Sequence, residues 1–372
     1  MRVAEERDTT GREFFTEVVR ARGIERRKFA TARVRNSIMR RLFSSPLPAR
    51  ARYSDTGGQK EVGMLHKILR ALVVLILLET GMAHASDRLD SALLKSVLRI
   101  ETAPSANGDP NVGSGFLVAA REDTTGKVLL VTNKHMIGDW SYGDGNIQTL
   151  RPWINVFFYR ANDPSGQSYR PTRVDLLNGS TLDAAKVHLH PVSKIDLVAI
   201  DVTDKVRDQA QHIEFTAYAP SYLVPFEKIQ VQLTYIADQV IALGYPLGIR
   251  SLRNNYPIAK IGYLASTPGE EVSIPIRLQN RAGAWVNISI DGKFLVVDGL
   301  IVPGNSGGPV VLAGGTRVRR DPTTNQLQFS DQSIKNYVAG VVSFGLGGGL
   351  TIVVSSDYLL ELLQSIALPG SK

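Results

Sequence analysis

Beyond residue 98 the apolar residues come in short runs separated by Gly, Asp, Asn and Pro, with no fixed repeat period. Runs this brief, rich in Val, Ile and Leu, predict β-strands rather than helices. The candidates are 115–119, 128–132, 195–202, 240–243, 286–290, 294–297, 309–312, 337–344 and 350–354. Asp291-Gly292, between "VNISI" and "KFLVV", predicts a two-residue hairpin, because both central positions of such a turn favour positive φ. Near the end, "SSDYLLELLQSIA" has helical periodicity, with Ser355, Ser356 or Asp357 available as its cap. A helical turn is expected within 86–98, and segments 139–185 and 203–235 are polar or irregular and read as long loops. Together these elements predict an all-β fold, a pair of antiparallel β-barrels or a sandwich, followed by a C-terminal helix. A boundary near 205–225 divides it into 86–215 and 216–372.

One run has a different character. From Met64, "MLHKILRALVVLILLETGMAHAS" places Lys67 and Arg70 before the apolar stretch 71–78 and Ala83-His84-Ala85 after it, the three-part order of a secretory signal cleaved after Ala85. A membrane span needs roughly 20 apolar residues, so no stable membrane insertion is expected once the signal is removed. The 63 residues ahead of it carry fifteen Lys and Arg against eight Asp and Glu. A start codon assigned too early is the simplest reading of this extension. A cytoplasmic tail on an anchored protein, a nucleic-acid-binding arm and a disordered leader are the alternatives. The two leading segments account for the formal charge of +8, leaving residues 86–372 near neutrality, so the pI of 9.6 does not point to a nucleic-acid partner. There is no cysteine, hence no disulfide and no thiolate metal site, and an exported domain must rely on its core. This favours a bacterial periplasm or exterior.

The chemistry-bearing residues are few. In "VPGNSGGPV" Ser306 sits among glycines that let backbone or substrate approach closely, and as a nucleophile it would need a base and an orienting carboxylate elsewhere. Four histidines follow residue 85: His135, His188, His190 and His212. His135 ends "VLLVTNKHMIG", where a buried strand delivers it to a loop mouth. His188 and His190 in "KVHLH" would share a strand face, read as solvated because no third metal ligand is evident. Asp196 heads the apolar run of "SKIDLVAIDV", and burying it requires donors nearby. Asp201 ends that run and reads as exposed.

"VTNKH", "IDLVAI" and "GNSGGP", in the order His, Asp, Ser, resemble the three catalytic segments of trypsin-like, chymotrypsin-fold serine peptidases, in particular bacterial HtrA-type and glutamyl-endopeptidase-type members. "GSGFLV", "IALGYPLG" and "GVVSFG" are similar to further family segments in the expected order, so the resemblance spans roughly 95–365. It implies two packed chymotrypsin-like β-barrels and a serine endopeptidase acting on polypeptides without a cofactor. Ser306 would be the nucleophile, His135 the general base and Asp196 its orienting partner, with an oxyanion hole from the N–H groups of Gly304 and Ser306. Ser343, Phe344 and Gly345 would pair with the substrate, and Leu300 would floor the primary specificity pocket. Asn305 stands where trypsins carry the aspartate that receives a new N-terminus. Full-length HtrA proteins continue into PDZ domains, whereas few residues follow the terminal helix here. The reading from another class is a catalytically silent, peptidase-shaped binding protein.

Overall fold

A strand that is apolar at every position has two faces to bury, and the central strands here bury them in two different cores. The computed structural model describes residues 89 and 91–367, apart from 105–109, 123–125, 144, 161–169, 230–233, 251–254, 280–283, 300–301, 313–317, 321–326 and 330–335. The basic extension and the signal stretch lie outside the described residues, as does Leu300.

Strands β1 (Val97–Thr102), β2 (Val112–Ala119), β3 (Val128–Thr132), β4 (Trp153–Phe157), β5 (Thr172–Asp175), β6 (Val187–Leu189) and β7 (Val198–Asp201) form an antiparallel sheet. Their order is β6-β7-β3-β2-β1-β4-β5. Next come β8 (Gln239–Gly244), β9 (Ile258–Leu264), β10 (Val272–Gln279), β11 (Trp285–Gly292), β12 (Phe294–Asp298), β13 (Pro309–Leu312), β14 (Val338–Gly347) and β15 (Leu350–Ser355). Six of them close into a barrel, β8-β9-β12-β15-β14-β13, while β10 and β11 pair only with each other. The fold is the expected all-β, chymotrypsin-like one. Its second half is a closed barrel and its first a half-barrel, whose ladder does not close among the described residues.

Alternation along each strand assigns the cores. Phe116 and Val118 of β2 and Leu129 and Val131 of β3 meet Ile241, Leu243, Val311 and Val341 of the barrel in a shared central layer. Leu117 and Leu130 face the outer core of the first sheet, and Val240, Ala242 and Val310 fill the barrel interior. The helix Ser356–Ala367 presents Leu359, Leu362 and Leu363 to the central layer, the i, i+3, i+4 stripe of an amphipathic helix. Among the described residues no helix is long and apolar enough to cross a membrane.

Several local expectations change. Asp291-Gly292 is not a hairpin turn: β11 runs through it and pairs over eight positions with β10, from Val272↔Gly292 to Gln279↔Trp285. A Cβ at 292 would lie 2.5 Å from the Tyr358 hydroxyl, so a side chain there would displace the end of Tyr358. Segment 139–185 contains β4 and β5, and the helical turn Ser91–Leu94 gives way directly to β1. Nor is His190 on a solvated face. It is 2% exposed, with Tyr358 of the C-terminal helix edge-on to its ring and Glu361 3.4 Å from Nε2. Asp201 is half-buried and held by Lys127 at 3.0 Å.

Candidate active site

Pairing of β3 with β7, Val198 opposite Thr132, brings the segments flanking these two strand ends together. After Thr132 the chain enters a single 3-10 turn, Lys134–Met136, which carries His135. Asp196 stands two residues ahead of β7. The buried Asn133 side chain bridges the two segments, donating from Nδ2 to the Asp196 carbonyl at 2.8 Å.

Asp196 is 1% exposed, and an isolated carboxylate there would be costly. Three donors surround it. His135 Nδ1–H donates to Oδ2 at 2.7 Å, the His135 backbone N–H to Oδ1 at 3.2 Å, and Ser343 Oγ–H to Oδ2 at 2.8 Å. An ionised carboxylate only accepts, so Ser343 spends its single hydrogen on Asp196. Tyr142 must then be the donor in its 2.6 Å bond to Ser343 Oγ. Burial and the negative charge of Asp196 raise the Tyr142 pKa well above the usual phenol range, which keeps it a donor. Since Nδ1 of His135 carries the proton, Nε2 is left as a base. Burial opposes a charge on His135, but attraction to Asp196 and the hydrogen bond between them outweigh it and lift the pKa above 6.5.

Ser306 arrives from the barrel on a tightly held loop. Its carbonyl accepts from Ser114 N at 2.8 Å, and Ser114 Oγ donates to the Gly304 carbonyl at 2.6 Å. Gly307 follows because a Cβ there would lie 2.1 Å from the Ser114 carbonyl, at a φ of +84°. Two peptides of the loop are locked by their carbonyls: Pro303 O accepts from Leu247 N at 2.7 Å and Asn305 O from Gly308 N at 2.9 Å. Because C=O and N–H oppose each other in a trans peptide, the N–H groups of Gly304 and Ser306 are turned the other way. Neither donates to a protein acceptor among the described residues. Ser306 Oγ donates to the Ser343 carbonyl at 3.2 Å and makes no hydrogen bond to His135. Such bonds are often loose before substrate binds.

A cavity of about 540 Å³ opens here. His135, Asp196 and Ser306 line it, together with Trp140, Tyr142 and Phe344 and with Val302, Pro303 and Val342. Tyr142 packs on Trp140 and Phe344 with ring centroids 4.5 and 4.6 Å apart. Ser343 and Gly345 also line it. Pairing of β14 with β13 ends at Val341, whereas pairing with β15 continues to Gly347, so among the described residues one edge of β14 is open beyond Val342, beside the cavity. Among the described residues no cluster of three or more His, Asp or Glu could hold a metal.

Sequence reasoning did not single out Ser114, Trp140 or Tyr142. Ser114 lies inside the quoted "GSGFLV", but nothing local tells that a strand serine reaches across to the barrel. Trp140 and Tyr142 fall in a stretch read as loop, and the one available signal was two aromatics close behind the histidine segment.

A model of the trypsin-like peptidase domain matches residues 113–318, more than half of the chain. A comparison with curated proteins finds no match. Among solved structures, the active form of the Rv3671c protease from M. tuberculosis is 14% identical, with a TM-score of 0.42, covering 75% of this chain and 84% of that one. The inactive form of the same protease is also 14% identical, with a TM-score of 0.38 and coverage of 75% and 92%.

Proposed function

Because the chain belongs to the trypsin-like peptidase family, we propose that it is a serine endopeptidase that cleaves polypeptides through an acyl-enzyme formed on Ser306. The observation that carries this reading is the shared cavity of Ser306, His135 and Asp196, with His135 Nδ1 held on a buried carboxylate so that Nε2 remains basic. An extended substrate adds as a strand to the open edge of β14 at Ser343, Phe344 and Gly345. Ser306 Oγ leaves the Ser343 carbonyl and attacks the scissile carbonyl carbon while Nε2 takes its proton. Negative charge developing on the substrate oxygen is met by the N–H groups of Gly304 and Ser306, each worth ~100-fold or more in rate. The imidazolium, stabilised by Asp196, protonates the leaving amine, and a water then hydrolyses the ester with His135 again as base.

Asn305 supports a site competent without insertion of a new N-terminus. Its neutral amide is fully buried and donates from Nδ2 to the Val302 carbonyl at 3.2 Å, so it offers an ammonium no ion pair. The signal-like stretch and the lack of cysteine support export, with cleavage after Ala85. The test is hydrolysis of an unfolded polypeptide by the wild type and by folded Ser306→Ala and His135→Ala. A loss of at least about a thousandfold in each is expected, because the three groups act as a unit. More than a few per cent of activity in either variant overturns the reading and favours a peptidase-shaped binding protein.

A further inference from the structure

Lys134, next to His135 in the chain, is 2% exposed, yet among the described residues no carboxylate lies within hydrogen-bonding distance of its ammonium. Nζ instead donates to three backbone carbonyls, those of His190 at 3.2 Å, Val192 at 3.2 Å and Ser193 at 3.0 Å. An ammonium has three N–H donors, and all three are used. The acceptors belong to one short segment, 190–195, that leads directly into Asp196. That segment is folded so that its carbonyls converge: Ile195 N donates back to Val192 O, Val192 N to His190 Nδ1, and Trp140 Nε1 shares the Ser193 carbonyl. Converging carbonyl dipoles repel one another and need a cation between them. The ends of this contact thus adjoin the ends of the His135–Asp196 hydrogen bond.

We propose that Lys134 is a positioning residue whose charged ammonium staples the Asp196-bearing segment to the His135-bearing turn, so that the site is competent only while that charge is present. The inference rests on the serine-peptidase reading of the site. An uncharged amine has two N–H donors and a lone pair, and the lone pair would face one of the three carbonyl oxygens. The segment would then relax, and a displacement of about 1 Å in a reacting constellation can cost ~100-fold in rate.

The charge is lost within an accessible range. Burial lowers the Lys134 pKa to about 8, against the opposing attraction of Asp196. Burial, and secondarily Lys134 itself, lower the pKa of His190 to about 4, so it is neutral, and Glu361 lies behind it 3.4 Å from Nε2. Tyr142 is held well above the ordinary phenol range. Activity and stability should respond with opposite signs. Between about pH 8 and 10.5 the unfolded chain binds the Lys134 proton more tightly than the folded one, so this group makes the fold more stable as pH rises, while the site loses its staple.

The test is the rate at which a fluorophosphonate modifies Ser306 in the full chain from pH 5 to 10, with thermal midpoints measured alongside. In the wild type the rate should fall above about pH 8, by about tenfold or more at pH 9.5, without a parallel fall in midpoint. Lys134→Met should react about 10- to 100-fold more slowly at pH 7 and show no further fall above pH 8. In Lys134→Arg the fall should move up by at least about one pH unit, since a guanidinium stays charged. A constant wild-type rate from pH 7.5 to 9.5 overturns the proposal, as does an unchanged alkaline fall in Lys134→Met. If Lys134→Met does not fold, the wild-type profile and Lys134→Arg still decide. Absence of Ser306 labelling in the wild type at every pH instead overturns the peptidase reading beneath it.

Discussion

Replacing Gly304 with alanine should abolish most of the activity while leaving the fold in place. At a φ of +98° an L side chain is strained, at a cost of about 1–3 kcal/mol. The new Cβ would also lie 2.3 Å from the Tyr245 carbonyl oxygen and 2.9 Å from Leu247 N, both backbone atoms that cannot swing aside. The accessible relief is rotation of the 303–304 peptide, which breaks the Leu247 N to Pro303 O bond and redirects the Gly304 N–H that the proposed mechanism assigns to the oxyanion. Loss of one such donor costs about 2.7–4 kcal/mol of transition-state stabilisation, a fall of ~100- to 1,000-fold in kcat. KM should change little, because the donor acts on charge that develops only in the transition state. The assay is steady-state hydrolysis of a peptide substrate, with melting followed by circular dichroism. Gly179→Ala is the control: φ is +68° there but no atom lies within 4 Å of the added Cβ, so it carries strain alone. A folded Gly304→Ala enzyme with kcat within tenfold of the wild type refutes the assignment of that N–H to the oxyanion.

Two further outcomes are expected. The raised His135 pKa depends on Asp196, so the acid limb of kcat/KM should lie above pH 6.5 in the wild type and shift down in Asp196→Asn, where burial acts unopposed. A folded-state pKa raised in this way stabilises the fold below 6.5 and ceases to do so as pH rises through the folded value, so Asp196→Asn should also lose some acid-side stability; an unmoved limb in the variant contradicts the linkage. Second, Val302, Pro303 and Val342 are among the residues that line the cavity, and leaving a buried charge unpaired beside them would cost several kcal/mol in effective terms. Cleavage should therefore follow uncharged, mostly aliphatic residues. A peptide-library profile dominated by Arg, Lys or Glu contradicts this.

What the sequence could reveal follows from the range of the forces involved. The runs at 128–132 and 309–312 are apolar on both faces, and they are strands β3 and β13 within the bounds expected. His135, Asp196 and Ser306 were marked by strand-end or glycine-rich settings that are local, and all three line one cavity. Partner choice is not local. Asp291-Gly292 has the chemistry of a hairpin turn, but the preceding strand pairs backward with Val272–Gln279, a segment that carries a proline at 275 and no hairpin cue of its own. The strands Trp153–Phe157 and Thr172–Asp175 read as loop because they are short and their buried positions alternate with half-buried or exposed ones. Ser114 and Tyr142 become meaningful only through bonds spanning 190 and 201 residues, which no window along the chain contains.

The central claim is that Ser306 is a nucleophile activated by His135. It is tested most directly by reacting the protein with a fluorophosphonate at neutral pH and locating the adduct by peptide mass spectrometry. The account predicts one adduct per chain, on Ser306, absent in Ser306→Ala and formed at least about a thousandfold more slowly in folded His135→Ala. An adduct on any other residue, or equal rates in wild type and His135→Ala, would contradict it.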